Sequence, residues 1–478
     1  MFGDKAGKSR KGTDCKVGDN LVTPAQQPAA KVTNRKEKAP PAIVMEEVAN
    51  AVNLQNAFKR VEENKGAPGV DGQSVAAVKH RLTEVLLKLS KSLLDGSYYP
   101  GEIRRVWIPK AGGGERPLGI PNVIDRVVQQ ALLQIMQPNY EPTFDDSSHG
   151  FRPGRSCHTA IAQAKEYVRD GYEWVVDIDL ERFFDTVNHQ RLQSKLEQTI
   201  EDKRIIRLIK LMLKAKVVMP DGVVIENEQG TPQGGPLSPL LSNIVLNELD
   251  QELRKRGHRF VRYADDCNIY VRSKAAAERV LESLSQFIER RMRLKVNKVK
   301  SAVGESGTRS FLGFSLEYNI ESDSVTVKLS EKSFKKISLK IVEHSPRNWG
   351  ASLDRCILRC NRYARGWMEY FKIISPTEQR KLRRLDAHLR RRLRAIQLKQ
   401  WRRRRTITQR LIQLGARKTT AWRTVYGGRK SLWHLSHTPV VDRTLRNAYF
   451  ANRGLVSLAE RWKQLQPKPI VQMQFAFV

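Results

Sequence analysis

Phe260-Val261-Arg262-Tyr263-Ala264-Asp265-Asp266-Cys267-Asn268-Ile269-Tyr270-Val271 places two adjacent aspartates between two short runs of β-branched and aromatic residues. Such runs on both sides of a short break predict a hairpin with the acid pair at its tip. Adjacent carboxylates repel each other unless solvent or a cation relieves them. A solvated turn accounts for the pair taken alone, because a Tyr-x-Asp-Asp string also arises by chance. A third acid changes the reading. Trp174-Val175-Val176-Asp177-Ile178-Asp179 is another short β-rich run, and the helix-like segment after it carries Phe183, Phe184 and Asp185. Asp179 by itself could cap a helix. Three carboxylates on neighbouring strand ends, however, suit a pair of Mg²⁺ ions roughly 4 Å apart, which activate a hydroxyl and offset the charge on a transferring phosphoryl group. Mg²⁺ takes hard oxygen ligands and keeps several waters, so few carboxylates suffice. Asp177 shares the strand face of Asp179 but lies about 7 Å further from the strand end, and is left out of the set.

Outward from these acids the chain mixes helix and strand. Val217 to Val224 holds Pro220-Asp221-Gly222 between β-branched residues, a hairpin signal. Ile124, Val127, Val128, Ala131, Leu132 and Ile135 stripe a helix predicted to start after Pro121 and to stop before Pro138. Leu54, Ala57, Phe58 and Val61 mark an earlier helix, and Ala277, Val280, Leu284, Ile288 and Met292 a later one. After about residue 330 strand signals fade and apolar residues recur at helical spacing among dense arginine. Residues 1 to 45 are rich in Lys, Pro, Ala and Gln and read as a disordered basic tail.

The 478 residues include 85 Lys+Arg against 50 Asp+Glu, a net charge of +35 with pI ≈ 10.2. That excess points to a polyanionic partner, nucleic acid first. No acid occurs from Arg390 to Lys430, whereas a merely solubilising face would mix acids with bases. Arg390, Arg391, Arg394, Arg402, Arg403, Arg404 and Arg405 are therefore expected to bind nucleic acid through phosphates, with Trp401 available to stack. The five cysteines are scattered, and Cys356 with Cys360 lacks a second pair, which favours buried thiols in a reducing compartment over zinc. No apolar run has membrane-spanning length and no signal-peptide core is present, so a soluble intracellular protein without a membrane partner is expected.

Tyr263-Ala264-Asp265-Asp266 resembles the catalytic motif of reverse transcriptases, and Asp179 with Phe184 five residues on resembles that family's first catalytic motif. Gly230-Thr231-Pro232-Gln233-Gly234-Gly235-Pro236-Leu237-Ser238-Pro239 is similar to the segment that meets template and incoming nucleotide. Leu294 to Ser301, with Asn297 and Lys300, and Phe311-Leu312-Gly313-Phe314 resemble the two motifs that follow, and all five stand in the family's order. Three further likenesses narrow the match to group II intron maturases. Lys65 to Gly72 is similar to their N-terminal extension. Trp107 to Lys110, Arg116 to Pro121 and Gly150 to Gly154 are similar to their fingers. Leu358 to Phe371, with Asn361-Arg362-Tyr363 and Gly366-Trp367, is similar to their thumb or maturase domain. The resemblance runs from about residue 48 to about 465 and is nearest the bacterial subgroup C type, which lacks an endonuclease domain.

The resemblance implies an α+β right-hand polymerase. Fingers and palm, with an antiparallel palm sheet, are expected over 46–325, an all-helical thumb/maturase domain over 326–400 and a basic helical nucleic-acid-binding module over 401–478. It implies an RNA-directed DNA polymerase that copies intron RNA into cDNA and assists splicing. Asp179, Asp265 and Asp266 would hold two Mg²⁺, with Mn²⁺ as a substitute. Lys110 and Arg116, flanking Gly112-Gly113-Gly114, are expected to close over the triphosphate, with Gln233 and Lys300 also meeting the nucleotide. Phe184 is expected to lie under the sugar and exclude a 2′-hydroxyl. The implied partners are group II intron RNA, an RNA template with a DNA primer, a DNA target and deoxynucleoside triphosphates, in the bacterial cytoplasm and at the nucleoid. Cys360 is the last cysteine and few ligands accompany His434 and His437, so no nuclease module and no cleavage of the second DNA strand are expected. Two rivals share parts of this reading. A domesticated reverse transcriptase of DNA repair or phage defence would keep the acids without an intron, and co-purifying RNA separates it. A non-enzymatic RNA-binding splicing chaperone would fail at primer extension.

Overall fold

The computed structural model describes residues 42–109, 114–227, 229–231, 233–427 and 431–467. Most of the tail expected over 1–45, and Lys110 with Gly112 and Gly113, lie outside the described residues. The helix Ala51–Glu63 buries the predicted stripe of Leu54, Ala57, Phe58 and Val61, with the Asn50 side chain capping its first turn.

The strands are β1 (Ile103–Pro109), β2 (Glu115–Ile120), β3 (Trp174–Ile178), β4 (Val217–Val218) and β5 (Val224–Ile225), then β6 (Arg259–Tyr263), β7 (Asp266–Val271), β8 (Ala302–Glu305), β9 (Phe314–Asn319) and β10 (Ser324–Leu329). A fingers-side sheet runs β2-β1-β4-β5 and includes the hairpin signalled by Pro220-Asp221-Gly222. The palm sheet runs β6-β7-β3-β8 and is antiparallel throughout. β9 and β10 form a separate hairpin.

Successive residues of a strand point to opposite faces, and the palm sheet buries both. Val176, Ile178, Phe260, Cys267, Ile269 and Val271 enter one core with the helices Val123–Tyr140, Ser238–Lys255 and Lys274–Phe287. Val175, Val261 and Tyr270 enter a second core, shared with the helix Cys157–Arg169 and the helices that follow residue 330. The sheet is thus the common wall of the two halves.

The helix predicted to stop before Pro138 runs on to Tyr140. Proline in a last turn forgoes one intrahelical bond and crowds the carbonyl four residues back, but little helix remains beyond it to be kinked; the Asn139 side chain donates to the neighbouring carbonyl of Ile135 at 3.1 Å. The expected boundary at 325/326 falls inside β10. Packing also continues across 400/401. Asp386, on the helix Gln379–Gln400, accepts hydrogen bonds from the amides of Leu458 at 2.8 Å and Ala459 at 3.1 Å, and Trp462 donates to the Ile374 carbonyl at 3.2 Å. Cys157, Cys267, Cys356 and Cys360 are buried and free, as the sequence implied. Among the described residues no helix is long and apolar enough to cross a membrane.

Arg262, in the middle of β6, has no exposed side-chain surface, nor has its partner Asp250. Nε and Nη2 donate to the two Asp250 oxygens at 2.7 and 2.5 Å. The remaining N–H groups reach Asn243 Oδ1 at 3.0 Å, the Ala264 carbonyl at 2.9 Å and Ser148 Oγ at 2.7 Å. All five guanidinium hydrogens therefore have acceptors. Removing one partner of a buried pair costs about 3–5 kcal/mol, because an uncompensated charge remains. Asp250→Ala is expected to lower stability by about that amount in urea titration, and Asp250→Leu with Arg262→Met to recover most of it. A single-variant loss below roughly 1 kcal/mol would remove this pair from the framework.

Candidate active site

The register of the palm sheet builds the site. β3 and β7 pair Ile178 with Cys267, so Asp179 and Asp266 come next on adjacent strands about 5 Å apart. Asp265 precedes Asp266 in the two-residue turn of the β6–β7 hairpin, whose Tyr263 pairs with Asp266. Ala264, the other turn residue, has φ +58°, a left-handed conformation that L-residues resist. The Arg262 guanidinium holds its carbonyl, and Gly150 lies against its amide so closely that a Cβ at 150 would come within 2.2 Å. Asp179 is clamped through its backbone: Ser301 Oγ accepts from its amide at 3.0 Å, and the Asn297 amide donates to its carbonyl at 2.9 Å.

Asp179, Asp265, Asp266, Lys300, Arg116, Gln233 and Phe184 line one cavity of about 680 Å³. The sequence-predicted residues of palm and fingers thus converge, except Lys110, which lies outside the described residues. Lys300 Nζ stands 3.4 Å from both oxygens of Asp179. Arg116 Nε donates to Gln233 Oε1 at 2.8 Å, and the Gly119 amide donates to the Gln233 carbonyl at 2.7 Å, which ties the Gly-rich loop to β2. Phe184 is buried at 8% exposure with its ring against Phe183. The Thr231 amide donates to the Phe184 carbonyl at 2.6 Å. Gly230, at φ +88°, packs there so tightly that a Cβ would sit 2.6 Å from the same oxygen.

A second cavity, of about 770 Å³, opens on the thumb side of the acids. It shares Asp179, Asp266 and Lys300 with the first and adds Asp177, Arg309, Lys328, Lys332 and Lys381. Arg309 pairs with Asp177 at 2.6 Å. Composition and spacing did not single out Arg309 or the Arg262–Asp250 pair, although an arginine amid the apolar residues of β6 was a visible signal.

Asp266 faces the open cavity, yet the cleft walls crowd it. Desolvation, then repulsion from Asp265, Asp177 and Asp179, push its carboxyl up to about 7 against the opposing charge of Lys300. Burial also raises the Asp177 carboxyl, with Arg309 pulling the other way. Hard carboxylate oxygens suit a divalent cation, and the mutual repulsion at Asp266 is what a cation would relieve. Among the described residues, no three His, Cys, Asp or Glu side chains converge tightly enough to hold an ion. The three aspartates share a cavity wall, and side-chain rotation would be needed to bring their oxygens to a common point.

The basic C-terminal residues divide. Arg402, Arg403, Arg404 and Arg405 are exposed, while Arg390 and Arg391 are half-buried. Arg394 turns inward at 7% exposure, donates to the Leu445 carbonyl at 3.0 Å and pairs with Asp442 at 2.5 Å. Trp401 packs, partly buried, against the second core. Arg394, expected at a phosphate, is thus engaged within the protein, and Trp401, expected to stack, has part of its ring against the core. Arg394 follows Leu393 on a helix that later segments cover, so its face is decided by distant packing.

A right-hand fold with paired aspartates at the tip of a palm hairpin defines a polymerase-type domain. Residues 108–316 match the reverse transcriptase (RNA-dependent DNA polymerase) family, and residues 334–412 match the group II intron maturase-specific domain. The protein YkfC of Escherichia coli is 36% identical over 290 residues, covering 52% of this chain and 76% of that protein. The group II intron-encoded protein LtrA of Lactococcus lactis is 31% identical over 353 residues, covering 59% of this chain and 57% of LtrA. A putative COX1/OXI3 intron 2 protein of Saccharomyces cerevisiae is 28% identical, covering 68% of this chain and 38% of that protein. The chain belongs to the group II intron-encoded reverse transcriptase and maturase family. It spans little more than half the length of LtrA. Reverse transcriptase domains are generally metal-dependent and act on nucleic acid.

The raised Asp266 value gives a pH test. Folding favours the protonated carboxyl, so the stability it contributes is complete below the ordinary value of 3.8 and is lost as pH rises through about 7. With divalent cations chelated, urea midpoints of the parent are expected to fall across that window relative to those of Asp266→Asn. Parallel pH profiles for the two proteins would show that Asp266 titrates as an ordinary carboxyl.

Proposed function

We propose that the protein is an RNA-directed DNA polymerase that copies intron RNA into cDNA and assists the splicing of that RNA. The observation that carries this reading is the placement of Asp179, Asp266 and Lys300 on the wall between two cavities. One cavity opens toward the fingers, where Arg116 and Gln233 would receive a deoxynucleoside triphosphate, with Lys110 completing the basic set from the sequence. The other opens toward the thumb, where Lys328, Lys332 and Lys381 would hold the phosphates of a primer end. The arrangement supports transfer across the shared wall, with primer hydroxyl and triphosphate meeting at the three aspartates.

Asp179, Asp265 and Asp266 would hold the metal, and the hardness of their oxygens favours two Mg²⁺, with Mn²⁺ as a substitute. Such ions would supply activation of the primer hydroxyl and charge compensation for the transferring phosphoryl group. Lys300 then balances charge beside Asp179 and can follow the triphosphate. Phe184 lines the same cavity, and its ring would exclude a 2′-hydroxyl from a bound nucleotide. Fingers and palm over 46–325, thumb over 326–400 and a basic region over 401–478 remain the working division. The exposed Arg402–Arg405 run and the +35 net charge favour intron RNA and target DNA as further partners.

Asp265→Ala is expected to lower primer extension on an RNA template by at least about a hundredfold, while intron RNA affinity stays within a few fold. Near-parental extension by that variant would refute the assignment. Phe184→Ala is expected to raise ribonucleotide incorporation relative to deoxynucleotide incorporation. Unchanged discrimination between the two triphosphates would return Phe184 to a packing role alone.

A further inference from the structure

Trp422 and Tyr426 stand four residues apart on the helix Lys418–Tyr426, with ring centroids 4.8 Å apart and planes inclined by 20°. They are 40% and 42% exposed. The helix packs through other residues: Ala421 and Val425, both buried, face the helices Arg404–Gln413 and Pro439–Thr444. Each ring follows one of these by a single residue, about 100° round the helix. The stacked pair is therefore not what docks the helix, and an i,i+4 ring pair adds little to helix stability by itself.

Charge marks what would cover the rings. Lys418 lies one turn before Trp422 on the same stripe, and Arg417 and Arg423 flank it, all exposed. No acid occurs in the sequence from 390 to 430. The other tryptophans after residue 400 are engaged elsewhere. Trp401 packs on the core, Trp462 is buried, and Trp433 lies beneath Arg391 at 4.0 Å and Arg347 at 5.1 Å.

We propose that Trp422 and Tyr426 form a stacking platform for an unpaired base of a bound nucleic-acid strand, with Lys418, Arg417 and Arg423 on its phosphates. The inference rests on the proposed nucleic-acid role of the basic C-terminal region, and adds the residues and the strandedness. Every base has a π face, so such a platform is tolerant of sequence. A duplex keeps its bases stacked on each other, so the platform takes a single strand or a loop. Stacking releases no counterions, whereas phosphate contacts do, so salt separates the two contributions.

The test titrates the full-length protein with labelled oligo(dT), oligo(rU) and a blunt DNA duplex over a series of salt concentrations. Trp422→Ala with Tyr426→Ala is expected to weaken single-strand binding about tenfold, with the salt slope and duplex affinity unchanged. Trp422→Phe should retain most of the affinity and lose part of the tryptophan quenching that accompanies binding. Loss with both oligonucleotides supports a platform for any unpaired base, and loss with one identifies the strand as DNA or RNA. Parental single-strand affinity in the double variant overturns the proposal. So does an equal loss with duplex, or a full loss in Trp422→Phe, since either marks a packing role. Asp265→Ala should keep parental affinity for both oligonucleotides, which keeps this outcome separate from that of the aspartate assignment.

Discussion

Arg262 is a full charge with no surface in water, and the catalytic half of the molecule depends on where its hydrogen bonds go. They reach Asp250 and Asn243 on one helix, Ser148 in the loop before the fingers motif, and the carbonyl of Ala264 at the hairpin tip. The backbone on both sides is fixed as well: the His149 amide donates to the Arg262 carbonyl and the Arg262 amide to the Ser147 carbonyl, each at 2.8 Å. A buried charge tolerates no slippage, because any loss of a partner leaves it uncompensated. Such a pair confers placement more than stability. Here it fixes an unfavourable turn so that Asp265 and Asp266 leave the sheet in one orientation.

Burial of both faces of the palm sheet has a second consequence. Fingers-side helices press on one face, and the helices after residue 330 share a core with the other. The strand ends that carry Asp179 and Asp266 therefore fall between two cavities. The protein around them is strongly basic, with +35 net charge, while the acids crowd one another at the shared wall. A polyanion is drawn to the surface by one sign of charge, and the reacting phosphate is received where the other sign can gather cations.

Arginine count overstates the surface available to nucleic acid. Arg392 is buried and donates to the Ser345 carbonyl at 2.7 Å, and Arg394 does comparable work at Leu445. Both satisfy carbonyls at the ends of other segments, so their substitution would disturb packing as well as charge. The exposed run Arg402–Arg405 and the stripe from Lys418 to Tyr426, by contrast, face outward.

The sequence determined the elements and the chemistry of the centre. Short β-branched and aromatic runs marked β3, β6 and β7, and helical stripes marked Ala51–Glu63 and Lys274–Phe287. Hard oxygen donors at strand ends pointed to phosphoryl transfer because few other chemistries need three such acids together. Those signals are local, and local propensity acts within a few residues. What tertiary structure decided was which side of each element meets another. It paired Arg262 with Asp250, tied Arg116 to Gln233, set Lys300 on Asp179, turned Trp401 and Arg394 inward, and left Trp422 and Tyr426 facing water. Periodicity says which residues share a face, but burial of that face depends on segments far away in the chain, and no spacing within the helix records them.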